Sequence, residues 1–251
     1  MGEFMRFITP IFCTLIFLST SGFADDQSET LEHHSCNYAK GKDLEDVMSV
    51  AKIWDEWADD AFTAPYQAFI FTPFFVDGND FDFDFFWVGV TDTPSQMGRV
   101  NDEFVAKGAD MQKKFDRTSK CPGHSLATSH TIRSYEKPGE AGYVTIWSCT
   151  LQDSASLEEA SRADAEWALW MTDNKIPGGL YRWDLGAGTP RNTTFDFYQI
   201  WVNSSLEERG LAMEKYHELD GDSAANKIYG DGIYDCDIPR VWLSTPVGGK
   251  S

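Results

Sequence analysis

Histidine and cysteine are scarce in this 251-residue chain, at five each, and Lys plus Arg total 21 against 40 Asp plus Glu. The resulting formal charge of −19 argues against a surface that holds nucleic acid phosphates or anionic lipid. Gly-x-Ser-x-Gly, a Walker loop, His-Glu-x-x-His and a dinucleotide fingerprint are all missing, so no reaction class can be read from a short motif. There is no Cys-x-x-Cys, which removes the common zinc spacing. After residue 24 no stretch is apolar and long enough to cross a bilayer. Disorder is excluded by the opposite test, since 42% of the residues are hydrophobic.

The chain opens on Met5-Arg6, an apolar run from Phe7 to Leu18, and small Gly22 and Ala24 at the −3 and −1 positions of a cleavage site. This is the pattern of a secretory signal over residues 1–24, so the expected destination is periplasmic or secreted, with no membrane insertion after cleavage. Cys13 leaves with that segment. Cys36, Cys121, Cys149 and Cys236 remain, an even set that predicts two disulfides in an oxidising compartment, with three connectivities open.

A self-comparison narrows the choice. With Ser35-Cys36 placed over Ser148-Cys149, an offset of 113, Leu44 falls on Leu157, Trp54 on Trp167 and Trp57 on Trp170. One further residue of gap puts Phe81-Asp82-Phe83 over Phe195-Asp196-Phe197 and Trp87 over Trp201. One more puts Cys121 over Cys236. The chain therefore reads as one unit written twice, over 25–134 and 142–251, joined by a turn-rich linker at 135–141.

Each copy carries the same order of patterns. A strand ends at the first cysteine, clearest over Gly142 to Cys149. A helix follows, N-capped by Asp43 or by Ser156, the latter with Glu159 in a capping box. Its apolar stripe is Leu44, Val47, Met48, Ala51, Trp54 and Ala58 in one copy, and Leu157, Ala160, Ala163, Trp167, Trp170 and Met171 in the other. Two strands come next, Tyr66 to Val76 and Phe81 to Val90 around Asp77-Gly78-Asn79-Asp80, then Gly179 to Leu185 and Phe195 to Val202. A second helix spans Ser95 to about Arg117, or Ser204 to about Leu219, and a last strand follows the second cysteine. The order β-α-β-β-α-β is the ferredoxin-like unit, whose first and last strands are antiparallel neighbours. That adjacency pairs Cys36 with Cys121 and Cys149 with Cys236.

Two such units in one chain resemble the dimeric α/β-barrel superfamily. The resemblance rests on element order over most of the chain after the signal. It implies an α+β fold of two tandem ferredoxin-like units packed sheet to sheet as a pseudo-dimeric α/β barrel, and a monomer, because the dimer is internal. Members of that group include cofactor-free monooxygenases, haem enzymes and ligand-binding proteins, so the fold alone leaves function open.

Period-two alternation puts Phe81, Phe83, Phe85 and Trp87 on one strand face, and Phe195, Phe197, Gln199 and Trp201 on its counterpart. Two readings stand side by side: ordinary core, or the wall of a cavity between the sheets for a small apolar or aromatic molecule. His124 and His130 share a face of the last strand in the first copy alone and are candidates for the same cavity or for a haem or metal ligand. The expected pocket is thus Phe83, Trp87, Phe197, Trp201, His124 and His130. His33 and His34 are read as surface residues. The acidic turn Asp77, Asn79, Asp80, Asp82 and the cluster Asp220, Asp222, Asp231 are read as solvated loops without the spacing of a calcium loop. Asn192-Thr193-Thr194 and Asn203-Ser204-Ser205 are acceptor sequons in a glycosylating host. The expectation is an exported protein that binds a small molecule without a metal or cofactor. The alternatives are a cofactor-free or haem-dependent oxygenase using the same cavity, and a structural protein with no ligand.

Overall fold

The computed structural model describes residues 28–230 and 232–250. The signal at 1–24 and Asp231 of the second acidic cluster lie outside the described residues. The first half runs β1 (Ser28–Tyr38), α1 (Leu44–Ala61), β2 (Tyr66–Phe75), β3 (Phe85–Thr91), α2 (Pro94–Lys107), α3 (Ala109–Phe115) and β4 (Ser119–Arg133). The second runs β5 (Gly142–Leu151), α4 (Leu157–Asp173), β6 (Gly179–Leu185), β7 (Phe197–Asn203), α5 (Leu206–Glu218), α6 (Gly221–Tyr229), β8 (Tyr234–Cys236) and β9 (Arg240–Lys250).

Local chemistry sets the helix starts. Asp43, Thr93 and Ser156 each accept the backbone N–H three residues on, while Asp46, Gln96 and Glu159 reach back to the cap. These reciprocal bonds satisfy donors that the first turn leaves open. The second helix of each half is in fact two. Between α2 and α3 stands Gly108, where a Cβ would lie 2.6 Å from the Phe104 carbonyl oxygen. Between α5 and α6 stands Asp220, in the left-handed region at φ 52°. Helix α6 covers ground read from the sequence as an acidic loop.

The strands follow the order β4-β1-β3-β2 in one half and β9-β5-β7-β6 in the other. Pairing of β4 with β6 and of β2 with β9 joins the halves. The result is one closed antiparallel barrel of eight strands with the helices outside, in place of two sheets facing each other across a gap. The short β8 adds to β5, and Cys149 and Cys236 are direct cross-strand partners there. The sulfur pairs at disulfide distance are Cys36–Cys121, joining β1 to β4, and Cys149–Cys236.

Alternation along the strands divides the core into three compartments. The barrel interior holds Leu31, Phe71, Val88, Ile146, Ile200 and Trp242. Between the barrel and α1–α3 lie Val47, Ala51, Trp54, Phe62, Tyr66, Phe85 and Trp87. Between the barrel and α4–α6 lie Met171, Ile176, Leu180, Trp201 and Ala212, with Trp147, Trp167 and Trp170 packed against them.

The strand register corrects the sequence comparison. Cys36 pairs with Phe85 and His34 with Trp87, whereas Cys149 pairs with Phe197 and Trp147 with Gln199. Phe85 therefore corresponds to Phe197, and Trp87 to Gln199. The Phe-Asp-Phe match of the two copies is slipped by two residues. A slip of two keeps every side chain on its face, so alternation gives no warning of it. Strand β3 starts at Phe85, and Phe81 and Phe83 sit in the connection before it, packed on Trp242 with the barrel interior. In the turn ahead of them Asp77 accepts from the backbone and side-chain nitrogens of Asn79, both at 2.9 Å, and Asp80 pairs with Arg240 at 3.2 Å. Asn203 is fully buried, which removes that sequon as an acceptor.

Candidate functional site

Strand β1 turns Glu32 and His34 toward α1–α3, and His33 into the barrel. His124 of β4 is the direct partner of His34, and the Cys36–Cys121 bridge locks the two strands a short step away. Glu32 lies opposite Gly89 of β3. The missing side chain at Gly89 matters: a Cβ there would fall 1.9 Å from the Tyr66 hydroxyl oxygen. Tyr66, from β2, thus lies across the bare backbone and brings its hydroxyl to Glu32.

The buried Glu32 carboxylate is the centre of the resulting network. Its Oε1 accepts from Tyr66 Oη at 2.7 Å, and Tyr66 Oη accepts in turn from Trp87 Nε1 at 3.0 Å. Its Oε2 accepts from Asn101 Nδ2 on α2 at 3.0 Å and lies 2.9 Å from His124 Nε2. His34 Nε2 lies 3.9 Å from the same oxygen, and the two imidazoles stack with ring centres 3.8 Å apart. Burial alone would raise the Glu32 carboxyl. The bond to His124, the nearby His34 and the bonds from Tyr66 and Asn101 outweigh it and hold it down to about 2. Burial lowers His34 to about 4 against the pull of Glu32, with His124 and His33 adding to the drop. Near neutral pH the site therefore presents an ionised carboxylate and a neutral His34. Burial, then the Glu32 charge, keeps Tyr66 protonated as a donor.

This network forms the polar end of a cavity of about 690 Å³ between the barrel and α1–α3. Its walls are Trp54, Phe62, Phe85, Trp87, Phe104 and Phe115, with Val47 and Val100. The exposed members of the lining, Val105, Gln112, Asp116, Lys120, Cys121, Pro122 and His124, mark a mouth between α2, α3 and the start of β4. The size is within the usual 300–1,000 Å³ of small-molecule sites. The barrel interior, where the sequence set the pocket, holds a smaller space of about 140 Å³ beside Phe71, Phe86, Trp183 and Trp242.

The six residues expected to share one pocket are distributed over all three compartments. Trp87 and His124 line the large cavity. Phe83 packs in the barrel interior. Phe197 lies under the Arg182 guanidinium and the edge of Tyr234, and Trp201 donates to the Pro177 carbonyl at 3.3 Å, both in the second half. His130 Nε2 lies 3.0 Å from Asp184 of β6. Glu32, His34, Tyr66, Gly89 and Asn101 were not foreseen. The available signal was the pair Glu32 and His34, two apart on one strand face and in register with the first cysteine. The polar run around them hid which side chains of that strand face inward.

The second half has no counterpart to this site. At the positions of Glu32 and His34 it carries Thr145 and Trp147, and at that of Gly89 it carries Trp201. Trp201 fills the volume that Tyr66 takes in the first half, and Gly178 leaves room for it, since a Cβ there would lie 2.2 Å from the indole nitrogen. The polar core of this half is instead Asp164, fully buried, which accepts from Tyr234 at 2.7 Å and Tyr229 at 3.2 Å and faces Arg182 at 3.5 Å. Burial lifts its carboxyl to about 6, against the lowering effect of Tyr234, Arg182 and Tyr229.

No protein-family model and no curated protein matches the chain. Solved structures do. A proposed monooxygenase from Lactobacillus acidophilus superposes with a TM-score of 0.55 at 8% identity, over 88% of this chain and 94% of its own. A chlorite dismutase variant from Candidatus Nitrospira defluvii gives 0.53 at 8%, over 89% and 93%. An anthrone oxidase-like protein gives 0.50 at 12%, over 90% and 96%. The chain shares the fold of these proteins, an eight-stranded antiparallel barrel flanked by helices.

Proposed function

We propose that this protein binds a small, largely aromatic molecule carrying a hydroxyl or amine donor in the cavity of its first half. The apolar body lies among Trp54, Phe62, Trp87 and Phe104, and the donor meets the polar end at Glu32 and His124. The observation that carries this reading is the ionised, buried Glu32 at the end of an aromatic cavity of about 690 Å³. A charge so placed stays only where its bonds are satisfied, and it rewards a ligand donor far more than an exposed carboxylate would.

The fold neighbours include a proposed monooxygenase and chlorite dismutases, but likeness at this identity transfers no chemistry. A haem-dependent oxygenase would need an imidazole nitrogen presented to a porphyrin. The Nε2 atoms of His34 and His124 both lie within 3.9 Å of one carboxylate oxygen. That donor set does not suit haem, and His130 Nε2 is likewise held by Asp184 at 3.0 Å. We read each half as a ferredoxin-like unit on its strand order, and the protein as exported on its two disulfides and leader pattern. Closure of the barrel within one chain supports a monomer.

Titration with 1-naphthol, followed by tryptophan fluorescence, tests the reading. Binding is expected for the native protein, with a loss of at least tenfold in Val100→Trp, which fills the cavity from α2. Equal affinity in the two proteins, with native circular dichroism in both, would refute the pocket.

A further inference from the structure

The polar end of the cavity has a geometry beyond that of a hydrogen-bonding anchor. Glu32, His34 and His124 each offer one donor atom, and the three atoms lie within 4.8 Å of one another. We propose that Glu32, His34 and His124 form a binding site for one divalent first-row transition-metal ion, with its remaining coordination positions open to the cavity.

The distances fit a small ion. At metal–ligand bonds of about 2.0–2.2 Å, neighbouring donors stand about 3.0 Å apart in octahedral geometry and about 3.4 Å in tetrahedral geometry. Glu32 Oε2 and His124 Nε2 are already 2.9 Å apart, and His34 Nε2 is 3.9 Å from that oxygen. To reach those spacings His34 needs to close by about 0.5–0.9 Å, and the stacked rings, 15° from parallel, must turn so that both in-plane Nε2 lone pairs aim at the ion. Two imidazoles and one carboxylate on a single face make the donor set of open iron(II) and zinc sites. The total charge also suits burial, since one carboxylate and two neutral imidazoles leave a divalent ion at +1.

The supports around the three donors are those a metal site needs. All three sit on strands, with His34 and His124 as direct cross-strand partners. The Cys36–Cys121 bridge ties the same two strands. The oxygen of Glu32 that faces away from the imidazoles is held by Tyr66, itself held by Trp87. Such outer bonds fix the orientation of a carboxylate ligand. Ligation needs a bare Nε2 on His124, so the ring binds the ion as the tautomer that carries its proton on Nδ1. The repeat supplies an independent comparison. The second half builds the same strands with Thr145 and Trp147 at these positions. The fold therefore does not require a carboxylate or a histidine there.

The inference stands apart from the identity of any organic ligand, and the metal is measured alone. The oxidised protein is treated with a chelator, desalted and titrated with Co²⁺, then with Zn²⁺ in competition. One equivalent of Co²⁺ is expected, with visible d–d bands and two paramagnetically shifted imidazole N–H protons. His124→Gln, His34→Gln and Glu32→Gln are each expected to lose at least tenfold in affinity, while His217→Ala on α5 keeps it. Because the His124 side chain is 44% exposed, against 28% for His34 and 7% for Glu32, its variant is the one expected to fold without difficulty, as checked by circular dichroism. Uptake of less than half an equivalent at saturating Co²⁺, or a folded His124→Gln that binds within twofold of the native protein, would overturn the site. Naphthol binding without metal uptake overturns the site and leaves the pocket standing; the reverse result sinks the pocket alone.

Discussion

Replacing Gly89 with alanine places a methyl carbon 1.9 Å from the Tyr66 hydroxyl oxygen and 2.3 Å from the ring carbon that bears it. Tyr66 is only 2% exposed and lines the cavity, so the ring can yield only into that space, at the loss of its bond to Glu32. Overpacking of this kind costs about 1–3 kcal/mol. Displacing the ring also breaks its bond to an ionised carboxylate, a contribution of about 1.5–3 kcal/mol. Together these give a destabilisation of about 2.5–6 kcal/mol. With a urea slope of about 3 kcal/mol/M, the unfolding midpoint falls by about 0.8–2 M. Equilibrium urea unfolding followed by far-UV circular dichroism measures it. A double-mutant cycle isolates the cause. Tyr66→Ala in the Gly89→Ala background relieves the clash, so the double variant is expected to be less destabilised than the two single losses added, by at least about 1 kcal/mol. A midpoint shift below about 0.2 M for Gly89→Ala, or strict additivity in the cycle, would refute the claim that the bare backbone at Gly89 is what seats Tyr66 on Glu32.

Two other predictions concern the frame around the site. Removing the Cys36–Cys121 bridge as a double serine variant frees a loop of separation 85 and is expected to cost about 4.6 kcal/mol in the chain-entropy model. Peptide mapping of the oxidised native protein should find that each cross-link stays within one half. Asp164 in the folded protein titrates near 6, above its unfolded value of 3.8. Its contribution is therefore full below pH 4 and lost as pH rises through 6, by roughly 3 kcal/mol for a shift of about two units. The stability of Asp164→Asn relative to the native protein should accordingly climb by about that amount between pH 4 and pH 7, and parallel curves would contradict the raised value.

The scaffold was largely readable and the site was not, for separable physical reasons. Tryptophan and cysteine are rare enough that their recurrence suggested a repeat, and element order then chose the cysteine partners that stand at disulfide distance. Capping chemistry is local, so Asp43 and Ser156 placed their helices from sequence alone. The slip of Phe83 against Phe197 is invisible to a pattern of period two, and only the pairing of Cys36 with Phe85 exposes it. Glu32 and His34 were obscured because a strand whose outward face lines a polar site loses the alternation that marks a strand. Tyr66 and Gly89 make sense only as a pair brought together by the β2–β3 ladder. Helix α6 follows a left-handed aspartate and is only 9 residues long, too short for its amphipathic pattern to stand out from the acidic run beside it.

The nine tryptophans supply the most direct test of the first-half pocket, because they divide among the three compartments: Trp54, Trp57 and Trp87 with α1–α3, Trp183 and Trp242 in the barrel, and Trp147, Trp167, Trp170 and Trp201 with α4–α6. Indole N–H resonances recorded by ¹H–¹⁵N NMR during a 1-naphthol titration report on each compartment separately. The account predicts saturable shifts for Trp54 and Trp87 while the barrel and second-half indoles hold still. Shifts centred on Trp183 and Trp242, or on Trp167 and Trp201, would place binding elsewhere and contradict it.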